Sequence, residues 1–308
     1  MVVTITANPC LDRNLIIEKL VSDDTIRPSE ITDEPGGSGI NVSRVLTRFK
    51  RPNVAIGFLG GGTGSDVEAL LRREGVKCDF LQVSETTRTN MIISDKSNWE
   101  QYRFSFPGPS IRANEVDGFM DKLASYSDAT YWAIGGSIPK DVPTTFYNDI
   151  VDLGHKMNIR VVLDSYGDPF HLGLEAKPFM VKPNEFELSR IVGMELSDFD
   201  SHVEGARVLQ KRGVDIVVAS MGAEGAVLVS DEGIWHAKPP KVEVKSKVGA
   251  GDSTVAGVLM ALDDGKGYEE AVRLGVSAGT ATTLTFGTEL CYQEDVDRIY
   301  AETKVRRL

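Results

Sequence analysis

Short apolar runs alternate along the chain with segments whose apolar residues recur every three or four positions. The runs predict β-strands and the periodic segments predict amphipathic helices. The predicted strands cover residues 2–7, 54–59, 130–135, 159–164, 179–182, 215–219 and 226–229. Predicted helices between them include 65–74, 143–157, 185–191 and 202–212. This alternation predicts an α/β fold with a doubly wound, mainly parallel sheet, whose ligands bind at the carboxyl ends of the strands.

Two segments, near residues 13–34 and 88–107, depart from the strand–helix alternation. The second contains two predicted strands, 90–94 and 102–106, joined by a turn-like stretch at 95–98. Together the two segments predict a small β-layer that projects from the core as a lid over the site, and a plain surface hairpin is the alternative. Because the chain has no repeats, low-complexity tracts or obvious linker, we expect a single α/β domain over residues 1–308.

Composition narrows the possible partners. The 308 residues carry a net charge of -11, which argues against nucleic acid or an anionic membrane as a partner. An acidic protein that binds phosphate must therefore use helix N-termini and local basic side chains. Three widely spaced cysteines form no metal or disulfide pattern, so a reducing, cytoplasmic location is expected. The first residues predict a strand and not a signal peptide, and no apolar run reaches membrane-spanning length.

The most informative stretch is the glycine-rich segment at 247–253, Lys-Val-Gly-Ala-Gly-Asp-Ser. A helix is predicted directly after it, because apolar residues follow at 255, 258, 259 and 262. Gly249, Ala250 and Gly251 would then lie at the helix N-terminus, where free N–H groups and the helix dipole favour a phosphate. Asp252 beside that anion site is expected to take the proton of a hydroxyl that attacks the phosphate. The alternative is a tight turn followed by an ordinary first-turn acid.

A second glycine cluster lies at 35–41, Pro-Gly-Gly-Ser-Gly-Ile-Asn, ahead of a helix with apolar residues at 42, 45, 46 and 49. Backbone amides there, with the side chain of Asn41, are suited to hydrogen bonding with sugar hydroxyls. The cluster is not a Walker A loop, because no Gly-Lys-Ser/Thr follows at the required spacing. It is also not a convincing dinucleotide fingerprint, because such a fingerprint directly follows a strand and no strand is predicted directly before Gly36. A glycine turn without a ligand is the alternative.

The two glycine clusters, in this order, resemble the motifs of the ribokinase/PfkB family of sugar kinases. Asn-Pro-Cys-Leu-Asp at 8–12 and Lys-Pro-Asn-Glu-Phe-Glu-Leu at 182–188 are similar to further family motifs. The segments 87–90, 100–104 and 287–291 look most like the minor, PfkB-type 6-phosphofructokinases within the phosphofructokinase/tagatose-6-phosphate kinase branch. The resemblance covers essentially the whole chain. It implies a ribokinase-like fold with a β-sheet lid, and ATP-dependent phosphorylation of the 1-hydroxyl of fructose 6-phosphate.

The resemblance and the motif chemistry together assign roles to residues of this chain. Asp252 is the expected general base, with the amides of 249–251 as the anion hole. Asn184 and Glu187, one helical turn apart, are expected to hold Mg²⁺ through water molecules. The two lid arginines, Arg88 and Arg103, are expected to bind the phosphate dianion of the sugar, because guanidinium groups suit such a dianion. The full set of expected contacts with the ketohexose phosphate is Asp12, Gly37, Gly39, Asn41, Arg88, Arg103 and Ser137. The expected ATP contacts are Lys182, Asn184, Ser220, Gly222, Gly225, Lys247, Gly279 and Ala281, of which Gly279 and Ala281 would border the adenine.

Two residues depart from the family pattern. Ser38 stands where 1-phosphofructokinases and tagatose-6-phosphate kinases usually carry lysine, and Lys247 stands where threonine or serine is more usual. The Lys247 ammonium is interpreted either as a ligand of a nucleotide phosphate or as a solvated charge. Tagatose 6-phosphate, fructose 1-phosphate and a 6-sulfo analogue of fructose therefore stay open as acceptors. A non-catalytic phosphosugar or nucleotide sensor is the alternative outside enzymes, although a sensor has no need of a base or a metal–water pair.

The lid also carries an expectation about assembly. Members of the family dimerise through the lid, and an exposed hairpin edge often pairs with a second chain. The resemblance therefore implies a homodimer through the β-lid, with Trp99 on the lid turn as a candidate interface residue. Asp33 and Glu34 are interpreted as solvated charges of the lid.

Overall fold

A computed structural model describes all of residues 1–308, which form fourteen strands and ten α-helices. The strands are β1 (Val2–Thr6), β2 (Cys10–Ile17), β3 (Glu30–Gly36), β4 (Asn53–Leu59), β5 (Leu81–Gln82), β6 (Arg88–Asp95), β7 (Gln101–Phe104), β8 (Tyr131–Gly135), β9 (Arg160–Asp164), β10 (Met180–Val181), β11 (Ile216–Ser220), β12 (Ala226–Val229), β13 (Ile234–Lys238) and β14 (Lys304–Arg307). The helices are α1 (Ser38–Arg48), α2 (Gly61–Arg73), α3 (Ala113–Ala124), α4 (Phe146–Lys156), α5 (Gly167–Glu175), α6 (Glu185–Val192), α7 (Phe199–Lys211), α8 (Ala250–Asp263), α9 (Tyr268–Thr282) and α10 (Gln293–Glu302).

A ten-stranded sheet forms the centre, in the order β14-β13-β12-β11-β10-β9-β8-β1-β4-β5. Seven neighbouring strands of this sheet, β5, β4, β1, β8, β9, β10 and β11, pair in parallel. β12, β13 and β14 extend the sheet beyond β11 as antiparallel strands. Helices cover both faces, because Val3 and Ile5 of β1 join one apolar cluster while Val2 joins another. Burial on both faces explains why the central strands are almost continuously apolar. The ribokinase-like α/β fold expected from the sequence is confirmed.

The predicted strands of the large sheet are all present, with bounds that differ by at most one residue. The predicted helices are also present, although α4 begins at Phe146 and not at residue 143, because a turn closed by Phe146 N and Pro143 O (2.9 Å) precedes it. β14 was not predicted. Its sequence, Lys-Val-Arg-Arg, has a single apolar residue, and only pairing with β13 makes it a strand.

A second sheet of four strands, in the order β3-β2-β6-β7, is built from the two segments that depart from the alternation. β2 pairs antiparallel with β3 and parallel with β6, and β6 pairs antiparallel with β7. Asp12 of β2 lies opposite Glu34 on one side and Asn90 on the other. Since side chains alternate between the faces of a sheet, Asp12, Glu34 and Asn90 share one face, here called the inner face.

Close helix packing holds the anion-site helix in place. A Cβ atom at Gly257 of α8 would lie 2.7 Å from the Cα atom of Gly275 in α9, so the two helix backbones touch at this point. None of the helices combines the length and the apolar composition that crossing a bilayer requires.

The α8–α9 contact predicts a stability difference between two glycine substitutions. Gly257→Ala should lower the free energy of unfolding by about 1–3 kcal/mol, because the methyl group overpacks the helix contact. Gly62→Ala in α2 is the matched control, because nothing lies within 4 Å of its added Cβ atom. The control should leave the protein unchanged or stabilise it by about 0.5–1 kcal/mol. Urea unfolding measures both, and a Gly257→Ala variant as stable as wild type would contradict the packing account.

Candidate active site

The loop ahead of α8 presents backbone amides to the site. Gly249 is the N-cap and has a left-handed φ of 75°, which favours glycine at this position. The first helical bond at this end runs from Ser253 N to Gly249 O (2.8 Å), so the amides of residues 250–252 have no partner inside the helix, and the Ala250 amide makes only a long bond to Lys247 O (3.5 Å). Together with the helix dipole, these amides are suited to an anion. We call residues 249–251 the anion loop.

Asp252 lies in the first turn of α8, enclosed by other polar side chains. Asn41 of α1 donates from Nδ2 to Asp252 Oδ2 (2.8 Å), which brings the two glycine clusters together. Burial and the nearby Asp164 carboxylate raise the pKa of Asp252 to about 6, although hydrogen bonds from Asn41 and Ser38 and the charge of Lys182 oppose the shift. A carboxylate with a pKa this close to neutral pH is suited to accept a proton.

Lys182 connects this carboxylate to a second one. Its Nζ atom lies 3.3 Å from Asp164 Oδ1, and its side chain is only 7% exposed. A Cβ atom at Gly251 would lie 3.0 Å from Lys182 Nζ, so the ammonium lies against the anion loop. Burial opposes the charge, but the carboxylates of Asp164, Glu187 and Asp252 raise the pKa of Lys182. The ammonium therefore stays charged beside the place where a phosphate would bind.

Sequence reasoning did not select Asp164. The residue ends β9, next to Lys182 after β10, because adjacent parallel strands bring their carboxyl ends to one edge of the sheet. The signal that was available is an acid at the last position of a predicted strand in a doubly wound sheet. Nothing in the local sequence shows which strands are neighbours, so the pairing of Asp164 with Lys182 could not be predicted.

Asn184 and Glu187 begin α6 as a reciprocal cap. Asn184 Oδ1 accepts from Glu187 N, and Glu187 Oε2 accepts from Asn184 N, both at 2.9 Å. Burial raises the pKa of the Glu187 carboxyl, although bonds from Asn184 and the charge of Lys182 oppose the shift. The structure thus gives the pair a helix-capping role and leaves Glu187 Oε1 free of the cap. The hard oxygen donors of this pair suit a hydrated Mg²⁺ ion.

The second glycine cluster packs against β1. A Cβ atom at Gly39 would lie 2.6 Å from Thr6 Oγ1, and the Thr6 hydroxyl accepts from Ile40 N (2.7 Å). Gly37 is the N-cap of α1, with a φ of 125°. Asn41 Oδ1 is buried and has no hydrogen-bond partner. An unsatisfied buried acceptor at a cleft is consistent with a ligand that supplies a donor.

Asp12 lies within β2, the strand that follows β1. Its Oδ1 atom accepts from Asn90 Nδ2 (2.9 Å) and from Cys10 Sγ (3.2 Å). Ser137 lies across the cleft after β8, and its hydroxyl accepts from Asn8 Nδ2 (3.1 Å). The inner face of the small sheet therefore carries a carboxylate whose orientation is fixed by Asn90 and Cys10.

Arg88 and Arg103 occupy different places on the small sheet. Arg88 donates to Asn8 O (2.9 Å) and to Phe106 O (3.0 Å), and its buried Nε has no partner. Arg103 is exposed and donates to Gln101. In register Arg103 lies opposite Ile92, so it is four residues, or roughly 13 Å, along the sheet from Arg88. The structure does not bring the two guanidinium groups together within one chain.

Of the other residues expected to contact the nucleotide, three lie at the edge of the large sheet and one lies on an exposed loop. Ser220 at the end of β11 forms an isolated bridge with Asn184, and Gly222 and Gly225 follow in a short turn with φ values of 55° and 84°. These residues lie at the same sheet edge as Lys182. Lys247 is exposed on the loop before the anion loop.

Two nucleotide expectations need correction. Ala281 has no exposed surface and belongs to the apolar core. Gly279 is also buried, against Thr254 and Ala250 of α8. Buried positions leave no surface for a ligand, so the interpretation of these two residues as adenine contacts is wrong, and their small size serves helix packing.

The interpretation as a solvated charge is wrong for Glu34, whereas Asp33 is 33% exposed and ion-paired at the surface. Asp33 forms a bidentate pair with Arg13 on the outer face of the small sheet, at 2.6 and 2.7 Å. Glu34 accepts a hydrogen bond from the Thr288 hydroxyl on the inner face. Burial raises the pKa of the Glu34 carboxyl, and Arg44 opposes the shift. Residue type alone could not reveal this, because the partner is distant in sequence.

Comparison with known proteins supports a common chemistry. Residues 2–295 match the model of the pfkB family carbohydrate kinases. A 1-phosphofructokinase of Bacillus subtilis is 35% identical over 100% of both chains, and the ATP-dependent 6-phosphofructokinase isozyme 2 of Escherichia coli is 34% identical over 97% of each. The crystal structure of phosphofructokinase-2 from Escherichia coli in complex with substrates and products has a TM-score of 0.93, with 34% identity, and covers 97% of this chain and 98% of that one.

The raised pKa of Asp252 predicts a pH-dependent cost to stability. The folded protein binds this proton up to about pH 6, whereas the unfolded chain releases it near 4, so wild-type stability falls as pH rises between these values. Asp252→Asn cannot ionise, so its free energy of unfolding relative to wild type should rise over that range by about 3 kcal/mol. Denaturant unfolding at several pH values measures this difference. A difference that is independent of pH would contradict the burial of a charged Asp252.

Proposed function

The chain belongs to the pfkB family of carbohydrate kinases, and from that premise we propose that it transfers the γ-phosphoryl group of ATP to the 1-hydroxyl of fructose 6-phosphate. The family and its relatives make the chain a phosphofructokinase-like sugar-phosphate kinase. Phosphoryl transfer to a hydroxyl is supported by Asp252, a carboxylate with a raised pKa in the first turn of the helix that follows the anion loop.

Asp252 is the proposed general base. The hydroxyl proton passes to an Asp252 carboxylate oxygen while the hydroxyl oxygen bonds to the γ-phosphorus, and the bond between that phosphorus and the ADP oxygen breaks. Amides of the anion loop stabilise the charge on the transferring oxygens. Lys182, held against Gly251, adds a fixed positive charge at the same place. Asn41 orients the Asp252 carboxylate through its Nδ2 bond.

Mg²⁺ is the proposed metal partner of ATP. Glu187 and Asn184 would hold it through water molecules, since the ion keeps much of its hydration. When bound, Mg²⁺ neutralises charge on the phosphate oxygens. The chain's own contribution is the reciprocal cap that fixes the Asn184 and Glu187 side chains in place. Ser220, Gly222 and Gly225 lie along the same sheet edge and are the proposed nucleotide contacts, and the exposed Lys247 is a proposed phosphate ligand.

The ketohexose phosphate is proposed to bind between the inner face of the small sheet and the second glycine cluster. Asp12 accepts bonds from sugar hydroxyls, and the buried Asn41 Oδ1 lacks a donor that a hydroxyl would supply. Ser137 and the amides near Gly37 and Gly39 complete this set. Arg88 has an unsatisfied Nε atom and is the proposed phosphate ligand of the same chain, whereas Arg103 lies too far along the sheet to share that phosphate.

Relatives of similar identity carry two names, 1-phosphofructokinase and 6-phosphofructokinase isozyme 2, so the acceptor has to be argued from this chain. Ser38 carries no charge, and it lies close enough to Asp252 to lower the pKa of that carboxyl, so a lysine at this position would approach Asp252. All three ketohexose phosphates would present a neutral hydroxymethyl group to Asp252, at C1 in fructose 6-phosphate and tagatose 6-phosphate and at C6 in fructose 1-phosphate. The choice of a 6-phosphate therefore rests on the family pattern, in which 1-phosphofructokinases and tagatose-6-phosphate kinases usually carry lysine where this chain has Ser38.

One assay of ADP release tests both the identity of the preferred sugar phosphate and the role of Asp252 as general base. We expect kcat/KM to be highest for fructose 6-phosphate in a panel with tagatose 6-phosphate, fructose 1-phosphate, 6-sulfofructose and fructose, followed as ADP release with Mg-ATP. Asp252→Asn should lower kcat by about 10²–10⁴ without loss of nucleotide binding, because the amide cannot accept the proton.

A matched control for this assay is Asp263→Asn, at the exposed end of the same helix, which should keep full activity. A preference for fructose 1-phosphate would contradict the acceptor assignment but keep the base. Full activity of Asp252→Asn would refute the proposed mechanism itself.

We also propose that two copies associate through the outer face of the small sheet. In register, Ile31, Leu15, Ile93 and Tyr102 form one row across all four strands, beside Met91 and Phe104. Ile31 is 57% exposed and Phe104 is 50% exposed, so the row forms an uncovered apolar surface. Such a surface on a strand layer is typical of association between chains.

The proposed dimer predicts that one substitution on the outer face, Phe104→Lys, halves the mass of the protein in solution. Phe104→Lys should convert a dimer to a monomer in sedimentation velocity, because a charge would be buried at the interface. Phe186→Lys is the control: Phe186 is 68% exposed on α6, away from the small sheet, and its replacement should leave the mass unchanged. A wild-type monomer, or a Phe104→Lys variant with unchanged mass, would contradict this interface.

A further inference from the structure

The segment between α9 and α10, residues 283–292, contacts the anion loop. Ser246 donates from its hydroxyl to Gly287 O (2.8 Å), and the same hydroxyl accepts from Val248 N (3.2 Å). Leu290 packs against Gly249 so closely that a Cβ atom there would overlap its side chain. The position of this segment therefore constrains the conformation of the anion loop at its N-cap.

The same segment also contacts the small sheet, through Thr288. Its side chain is 2% exposed, its hydroxyl donates to the Glu34 carboxylate, and it accepts from Asn14 Nδ2 (3.4 Å). Asn14 and Glu34 belong to the inner face that carries Asp12, and Glu34 lies directly opposite Asp12 in register. One hydroxyl group thus links the proposed sugar site to the segment that supports the anion loop.

Arg44 strengthens this connection from α1. Its side chain is 3% exposed, and its guanidinium pairs with Glu74 at 2.9 Å and donates to Pro35 O (3.4 Å) and to Thr288 O (3.5 Å). Pro35 belongs to β3 of the small sheet, so Arg44 contacts both sides of the joint. Buried ionic contacts of this kind favour one arrangement of the packed elements over others.

Few partners other than Thr288 are available to the Glu34 carboxylate. The carboxylates of Glu289, Glu74 and Asp12 surround it, and Arg44, already paired with Glu74, supplies the nearby positive charge. If the small sheet moved away, the Thr288 bond would break and leave a partly buried acceptor without its donor. The bond is therefore specific to one position of the small sheet.

We propose that Thr288 is a positioning residue that couples the sugar-phosphate site to the anion loop, so that each substrate binds more tightly when the other is present. A sugar phosphate held by Asp12 fixes the small sheet where the Thr288–Glu34 bond forms, and that bond holds segment 283–292 against the anion loop. By linkage, the nucleotide strengthens sugar binding by the same factor. This inference rests on the proposed function, which places the two substrates at these two sites.

Calorimetric titration of Mg-AMPPNP measures this coupling as a ratio, the dissociation constant without fructose 6-phosphate divided by the dissociation constant at saturating fructose 6-phosphate. In wild type this coupling ratio should exceed one. Thr288→Val keeps the shape of the side chain but removes the hydroxyl, and should lower the ratio about three- to tenfold. Where the wild-type ratio is itself below about three, the variant should bring it to one, which means no coupling. Thr288→Ser keeps the hydroxyl and should restore most of the coupling.

Thr32→Val is the matched control, because Thr32 is exposed and lies opposite Asn14 in the same sheet. It should leave the ratio unchanged. If Thr288→Val fails to fold, Glu34→Gln gives a second test, since loss of the charge should lower the ratio in the same direction. A ratio of one in wild type, or an unchanged ratio in both Thr288→Val and Glu34→Gln, would overturn the coupling. Failure of the proposed function would show differently, as absent turnover of fructose 6-phosphate by the wild-type enzyme.

Discussion

A buried lysine between carboxylates determines the chemistry of this protein. The Lys182 ammonium lies 3.3 Å from Asp164 and against the anion loop, and the charges of Glu187 and Asp252 also act on it. Without the ammonium, the half-buried carboxylates of Asp164, Glu187 and Asp252 would lose the positive charge that compensates them, and their ionisation would cost more. With it, Asp252 has a pKa of about 6 and can exist as a base at neutral pH.

The topology explains why these groups meet. β9, β10 and β11 are parallel neighbours, so Asp164, Lys182 and Ser220 all fall at the carboxyl edge of the sheet. α8 brings Asp252 to that edge, and α1 brings Asn41, which hydrogen bonds to Asp252. The small sheet contributes Asp12 to the proposed sugar site. Each element contributes one or two side chains, and close packing of α8 on α9 at Gly257 and Gly275 holds the anion loop in place.

Much of the fold could be predicted from the sequence, because buried parallel strands are continuous apolar runs and their helices keep an apolar face. The placement of residues 249–251 at a helix start, with Asp252 in the first turn, was also predictable, because apolar residues follow at helical spacing. What could not be predicted depends on contacts that are distant in sequence. Asp164 is notable only beside Lys182, and Glu34 only beside Thr288. Gly279 and Ala281 fit a ligand site by size, yet their burial shows that small residues serve helix packing equally well.

The pH dependence of kcat/KM tests the central claim most directly, because it reports the ionisation of the essential base in the free enzyme. With Mg-ATP and fructose 6-phosphate, log kcat/KM should rise with a slope of one up to about pH 6 and then level off. In Asp164→Asn the limb should move to lower pH, because the carboxylate that raises the Asp252 pKa is gone. A profile that is flat from pH 5 to 7, or a limb that does not move in Asp164→Asn, would contradict the account.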